Sequence, residues 1–217
     1  MTSVQIKICG VTNVKDAGAS AEMGASMIGF NFYPQSPRYI GPGVVRQIIE
    51  AMPPEVCTVG VFVDANAEEI RNTADAAGVR CVQLHGRTSP DTVSELARKF
   101  RVIRAFSTDP QFRPAEVSLF GDCDVLVDAH HPHLRGGTGL TCDWAAARTA
   151  RSLARFLILS GGLNLENVSH AIATVAPHAV DVCSGVESAP GVKDYTAIEN
   201  FVTAVRTANS FMNVSRA

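Results

Sequence analysis

The sequence is notable first for what it lacks. It has no C-x-x-C pair, no basic run and no apolar stretch near the roughly 18 residues that would span a bilayer. Lys and Arg number 19 against 21 Asp and Glu, a net charge of −2, which argues against a nucleic-acid or membrane-surface partner. No charged-then-apolar leader opens the chain. The expectation is a soluble, unexported, cytoplasmic protein. The six cysteines (Cys9, Cys57, Cys81, Cys123, Cys142 and Cys183) are scattered. Each reads first as a small buried residue in a reducing compartment, since a zinc site would want closer ligand spacing. No linker, low-complexity segment or sequence repeat divides the chain. The first apolar run ends in "CGVTN", without the G-x-G-x-x-G spacing of a dinucleotide turn, which argues against an open doubly wound sheet.

What is present is a rhythm. The chain has 217 residues, 46% of them hydrophobic, enough for one sizeable core. Eight short β-branched runs recur: 4–9, 27–32, 57–63, 80–85, 101–106, 124–129, 155–161 and 178–185. Helical patterns lie between them, with start signals at Thr12-Asn13, Asn66 and Ser89-Pro90, and a stop at Gly78. The fifth helix, within 109–120, is interrupted by Pro110 and Pro114. Eight strand-then-helix units of about 27 residues each predict an α/β fold, a single-domain (β/α)8 TIM barrel, over residues 1–208. Residues 209–217 are expected to form a flexible tail.

In such a barrel the chemistry sits where strands end. Residues two apart share a face, so Lys7 and Cys9 point inward if Ile6 and Ile8 face helices. The fourth run ends in Gln83-Leu84-His85, the sixth aligns Asp124, Leu126 and Asp128, and the eighth aligns Asp181 and Cys183. An inward lysine is equally half of a buried ion pair, but polar groups from several strands on one rim read as a site. "LSGGLN" (159–164) and "CSGVE" (183–187) follow the last two strands, where barrels bind phosphate through backbone N–H groups. "RGGTGL" (135–140) suits a lid. Arg38, between Pro37 and Tyr39, suits bidentate carboxylate recognition. The histidines of "HHPH" (130–133) lie in a loop and would struggle to meet at one ion, so no metal is expected.

These pieces together resemble the phosphoribosylanthranilate isomerase family. The matching stretches are "KICGVT" (7–12), "GFNFYPQSPRYI" (29–40), "VGVFVD" (59–64), "QLHG" (83–86), "RGGTG" with "DW" (135–139 and 143–144), "LSGGLNLENV" (159–168) and "VDVCSGVESAPGVKD" (180–194). The resemblance implies an Amadori rearrangement without cofactor. An aldosylamine phosphate becomes an aminodeoxyketose phosphate, with Cys9 as general base and Asp128 as general acid. It implies phosphate binding at Gly161, Gly162, Ser184 and Gly185. Lys7, Arg38, Gln83, His85, Gly137 and Asp181 would surround the substrate, with Arg38 facing the anthranilate carboxylate. The partner is a small phosphorylated molecule, and the chain is expected to be a monomer or weak homodimer. The sequence departs from the family pattern at Gln35 (lysine expected), Ala129 (threonine), Leu140 (a polar residue) and Cys142 (phenylalanine), and in the "HHPHLR" insert. Three other readings remain open: a related sugar-phosphate isomerase, which would want an aspartate at position 9; a paralogue acting on a modified aryl amine; and a non-catalytic sugar-phosphate-binding barrel.

Overall fold

Alternation with period two decides which way each strand faces, and eight such strands close on themselves. A computed structural model describes residues 3–121, 123–128 and 142–214. The strands are β1 (Gln5–Cys9), β2 (Met27–Asn31), β3 (Cys57–Val63), β4 (Cys81–His85), β5 (Arg101–Ser107), β6 (Asp124–Asp128), β7 (Leu157–Leu159) and β8 (Ala179–Val182). All pair in parallel with their sequence neighbours, and β8 returns to β1 to close the barrel. The inward layer holds Met27, Val59, Cys81, Ile103, Leu126 and Ile158, and a separate outer cluster that includes Ile6, Ile8, Ile28 and Leu84 packs beneath the helices. Ile6 and Ile8 therefore face helices, as the alternation required, and Lys7 and Cys9 turn inward.

The helices are α1 (Val14–Met23), α2 (Pro42–Glu50), α3 (Ala67–Ala77), α4 (Pro90–Ala97), α5 (Trp144–Leu153), α6 (Val168–Val175) and α7 (Tyr195–Val214). Their starts are set by local chemistry. The Asn13 side chain accepts from the Asp16 N–H, Asn66 and Glu69 form a reciprocal capping box, Ser89 caps a helix whose first residue is proline, and Asp143 accepts from Ala145 and Ala146 N–H. Gly24 and Gly78 end α1 and α3 in left-handed conformations that L residues resist.

Three features differ from the sequence reading. The fifth helical segment is a 3₁₀ helix, Pro114–Phe120, that begins at a proline and forms no α-helix. A small antiparallel hairpin, β9 (Glu187–Ala189) and β10 (Val192–Lys193), follows β8. The last helix continues to Val214, beyond residue 208 where the sequence reading ended the barrel. Gly137, Ala129, Leu140, the 130–133 histidines and the glycine-rich lid all lie outside the described residues.

Candidate active site

The carboxyl ends of the strands converge on a pocket whose walls include Cys9, Arg38, Gln83, His85, Asp128 and Asp181. A narrower lobe continues from Asp128 and Asp181 to Gly161, Gly162 and Ser184. Residues from β1, β4, β6, β7 and β8 thus meet at one mouth.

At the floor lies the seam between β1 and β8, whose register sets Lys7 opposite Asp181. The Lys7 ammonium is 2.9 Å from Asp181 Oδ1, and the Ser160 hydroxyl donates to Asp181 Oδ2 at 3.2 Å. Lys7 has no exposed surface, so the structure places it beneath the pocket rather than on its wall. Burial works against its charge, but the Asp181 carboxylate and the adjacent Cys9 outweigh burial and its pKa is raised. Lys7 is therefore a fixed cation under the thiol. The Cys9 pKa is lowered to about 7: a hydrogen bond from Cys183 contributes most, burial opposes it, and the Lys7 charge adds to the lowering. In this coupled pair Cys183 keeps its proton, pushed well above the ordinary thiol value. Gly29 on β2 stands opposite Cys9. A Cβ there would lie 2.8 Å from Cys9 Sγ and 3.1 Å from Lys7 Nζ, so glycine leaves the space that both groups occupy.

Asp128 ends β6, is only 8% exposed and borders both lobes. Its carbonyl accepts from Thr108 N–H at 2.9 Å and the Thr108 hydroxyl at 3.1 Å, which fixes the strand end. Cys142 is buried nearby. Burial first, then the Asp128 charge, pushes its thiol up to about 12. Gln83 Nε2 and His85 Nε2 are 2.7 Å apart on the wall, and Gln83 Oε1 is buried without a hydrogen-bond partner among the described residues. Asp124 shares a face with Asp128 but lies at the opposite end of β6, paired with Arg101 and away from the pocket.

Arg38 reaches the pocket but is already engaged by Glu187, a residue that the sequence reading left without a role. Its Nε donates to both Glu187 oxygens, at 2.9 and 3.0 Å, and its Nη2 donates at 2.6 Å. Gly10 lies alongside with φ +73°, and a Cβ there would sit 2.6 Å from Arg38 Cδ and 2.9 Å from Cys183 Sγ. Lys193, also unassigned from sequence, donates to Glu187 Oε1 at 2.8 Å and to the Cys9 carbonyl at 2.6 Å. Both sit in the "CSGVESAPGVKD" stretch after β8, where no local pattern marks them as partners of Arg38 and Cys9. Gln35, where the family pattern has lysine, accepts from the Tyr33 hydroxyl at 2.6 Å.

In the narrower lobe Gly161 and Gly162 adopt φ +87° and +62°, conformations that turn successive N–H groups as an anion site needs. Gly185 packs against the preceding glycine loop, and a Cβ on it would sit 2.2 Å from the Leu163 carbonyl. Among the described residues no group of three His, Cys, Asp or Glu could hold a metal ion, and no helix is long and apolar enough to cross a membrane.

Residues 6–204 match the family model described as N-(5′-phosphoribosyl)anthranilate (PRA) isomerase. The chain belongs to the PRA isomerase family. A PRA isomerase from Geobacter sp. (strain M21) is 43% identical over 202 residues, covering 93% of this chain and 98% of the relative. Monomers generated from the dimeric PRA isomerase of Thermotoga maritima superpose with a TM-score of 0.85 at 38% identity, covering 94% of this chain and 99% of that one. A PRA isomerase in complex with reduced 1-(o-carboxyphenylamino)-1-deoxyribulose 5-phosphate superposes at 0.84, with 39% identity and the same coverage.

Proposed function

We propose that this chain is the isomerase its family is named for, converting N-(5′-phosphoribosyl)anthranilate to 1-(2-carboxyphenylamino)-1-deoxyribulose 5-phosphate in tryptophan biosynthesis, with Cys9 as base and Asp128 as acid. The observation that carries the assignment of roles is a thiol lowered to about 7 and a buried carboxyl group from a different strand on the walls of one pocket. Asp128 protonates the furanose ring oxygen. The C1–O bond breaks as the amine lone pair forms the C1–N double bond. Cys9 thiolate removes the C2 proton, and the C–H electron pair moves through C1 to nitrogen, leaving an enolamine that takes a proton at C1 as its C2 hydroxyl gives one up, which yields the ketone. The substrate's own nitrogen is the electron sink, so the step needs no cofactor. The fixed Lys7 charge favours the thiolate before each turnover.

The substrate lies across both lobes. The glycine loops at Gly161, Gly162, Ser184 and Gly185 take the phosphate through backbone N–H groups. Arg38 takes the anthranilate carboxylate, and Gln83, His85 and Asp181 border the sugar. We assign Gly137 to substrate binding on the resemblance alone. The protein is a monomer or weak homodimer working in the cytoplasm; sedimentation across a concentration series measures the first.

The test uses substrate made in situ and followed by loss of its fluorescence. Cys9→Ser should lower kcat on the order of 10²-fold or more, since an alcohol cannot serve as the base. Asp128→Asn should be severely impaired and should erase the limb of kcat that descends as pH rises, because the amide has no acidic proton to lose. Near-normal kcat in Cys9→Ser, or an unchanged profile in Asp128→Asn, would remove that residue from its role.

A further inference from the structure

Apart from the Lys7–Asp181 pair, two cations and one carboxylate lie beside the base: Arg38, Lys193 and Glu187. Glu187 occupies the side-on edge of the Arg38 guanidinium, the Nε and Nη2 hydrogens. The end-on edge remains: Nη1 makes no hydrogen bond among the described residues, and Arg38 lines the pocket. An incoming carboxylate can still be held bidentately on that edge. The Arg38–Glu187 pair alone would carry no net charge and would offer such a carboxylate little attraction.

Lys193 changes that balance. Its side chain is fully buried, and its ammonium reaches Glu187 Oε1 at 2.8 Å, the Cys9 carbonyl at 2.6 Å and the Cys183 carbonyl at 3.3 Å. Three donors meet three acceptors, with none left over. Glu187 is itself 4% exposed and also accepts from the Gly191 N–H at 3.3 Å, so its charge is shielded by protein rather than by water. The hairpin that carries Lys193 is anchored independently. Its backbone N–H bonds Asp16 Oδ2 at 3.0 Å, and the Thr12 hydroxyl donates to the Gly191 carbonyl at 2.6 Å.

We propose that Lys193 and Glu187 are specificity-determining positioning residues: Glu187 orients Arg38, and Lys193 neutralises Glu187, so that the cluster keeps one net positive charge for a carboxylate-bearing aryl amine. The assignment rests on the function proposed above and extends it to the choice of aryl group. The charge acts through Arg38, because Lys193 itself has no surface on the pocket.

The experiment compares kcat/KM for N-(5′-phosphoribosyl)anthranilate and for the aniline analogue without the carboxylate. The wild type should prefer the first, and Arg38→Met should abolish that preference. Lys193→Gln keeps hydrogen-bond donors for the two carbonyls but removes the charge, and it should lower the preference tenfold or more. Lys193→Met should do the same; should it fail to fold, Lys193→Gln carries the test. Adding Glu187→Gln to Lys193→Gln restores the net charge and should recover most of the preference, a rescue that loss of a merely structural lysine would not show. Inhibition by inorganic phosphate should stay constant throughout. A wild type inert on the anthranilate substrate overturns the proposed function itself. A selective wild type whose Lys193→Gln variant keeps its preference within twofold overturns this inference alone, as does an unchanged preference in Arg38→Met.

Discussion

Cys9 shares its environment with one proton-keeping neighbour and one fixed cation, and its titration should be readable in rate. With Cys9 as the proposed base the thiolate is the active form, so activity should be gained as pH rises through the thiol's pKa. With that value at about 7, kcat/KM should climb tenfold per pH unit on the acid side, until the descending limb of the Asp128 acid sets in. Because the Cys183 hydrogen bond contributes most to the lowering, Cys183→Ala should move the limb upward, toward the ordinary thiol value of about 8.5. A pH series from 5.5 to 9 on both proteins measures this, and an unmoved limb in Cys183→Ala would sink the account of how the base is tuned. Cys9, Asp128 and Asp181 were legible from sequence because strand alternation puts them on one face and barrel geometry puts strand ends at one mouth. Glu187 and Lys193 were not. Glu187 meets Arg38 across 149 residues and Lys193 meets the Cys9 carbonyl across 184, and no local pattern announces such partners. Lys7 was legible as an inward residue, but burial decided that it supports the pocket from below.

At the scale of elements, strands and helix starts followed from local rules: alternation, Asn and Ser caps, and proline in first turns. The hairpin β9–β10 escaped because three- and two-residue strands around Ala-Pro-Gly carry no period to detect. Its docking nevertheless brings Lys193 to the site. The glycine loops make a sharper test of element against element. The loops after β7 and β8 touch where Gly185 meets the Leu163 carbonyl, and no Cβ fits there. Gly185→Ala should force the two loops apart. Overpacking of this kind costs about 1–3 kcal/mol, so phosphate affinity should fall on the order of tenfold or more while the barrel stays folded. Isothermal titration with inorganic phosphate, beside circular dichroism, checks both halves. Unchanged phosphate binding would place the anion elsewhere on the rim.

Over the whole molecule the site straddles the seam where the chain's two ends meet. β8 pairs with β1, the Lys7–Asp181 ion pair crosses that junction, and α7 packs against α1 with Arg206 donating to the Met23 carbonyl at 3.3 Å. The glycine loops proposed to take the phosphate follow β7 and β8 and the proposed base ends β1, so a ligand held by both would fasten the first and last elements together. Ligand that binds only the folded chain adds about 2.7 kcal/mol at a hundred times its dissociation constant. For a domain of this size, about 2–4 °C accompanies each kcal/mol. Inorganic phosphate at that excess should therefore raise Tm by roughly 5–10 °C in a single cooperative transition. Phosphate also stabilises proteins generally by exclusion from their surfaces, so the control is Gly185→Ala at matched phosphate concentration. Site binding predicts that most of the rise disappears in the variant. A rise of equal size in both proteins would mean that the salt, not the pair of glycine loops, is responsible.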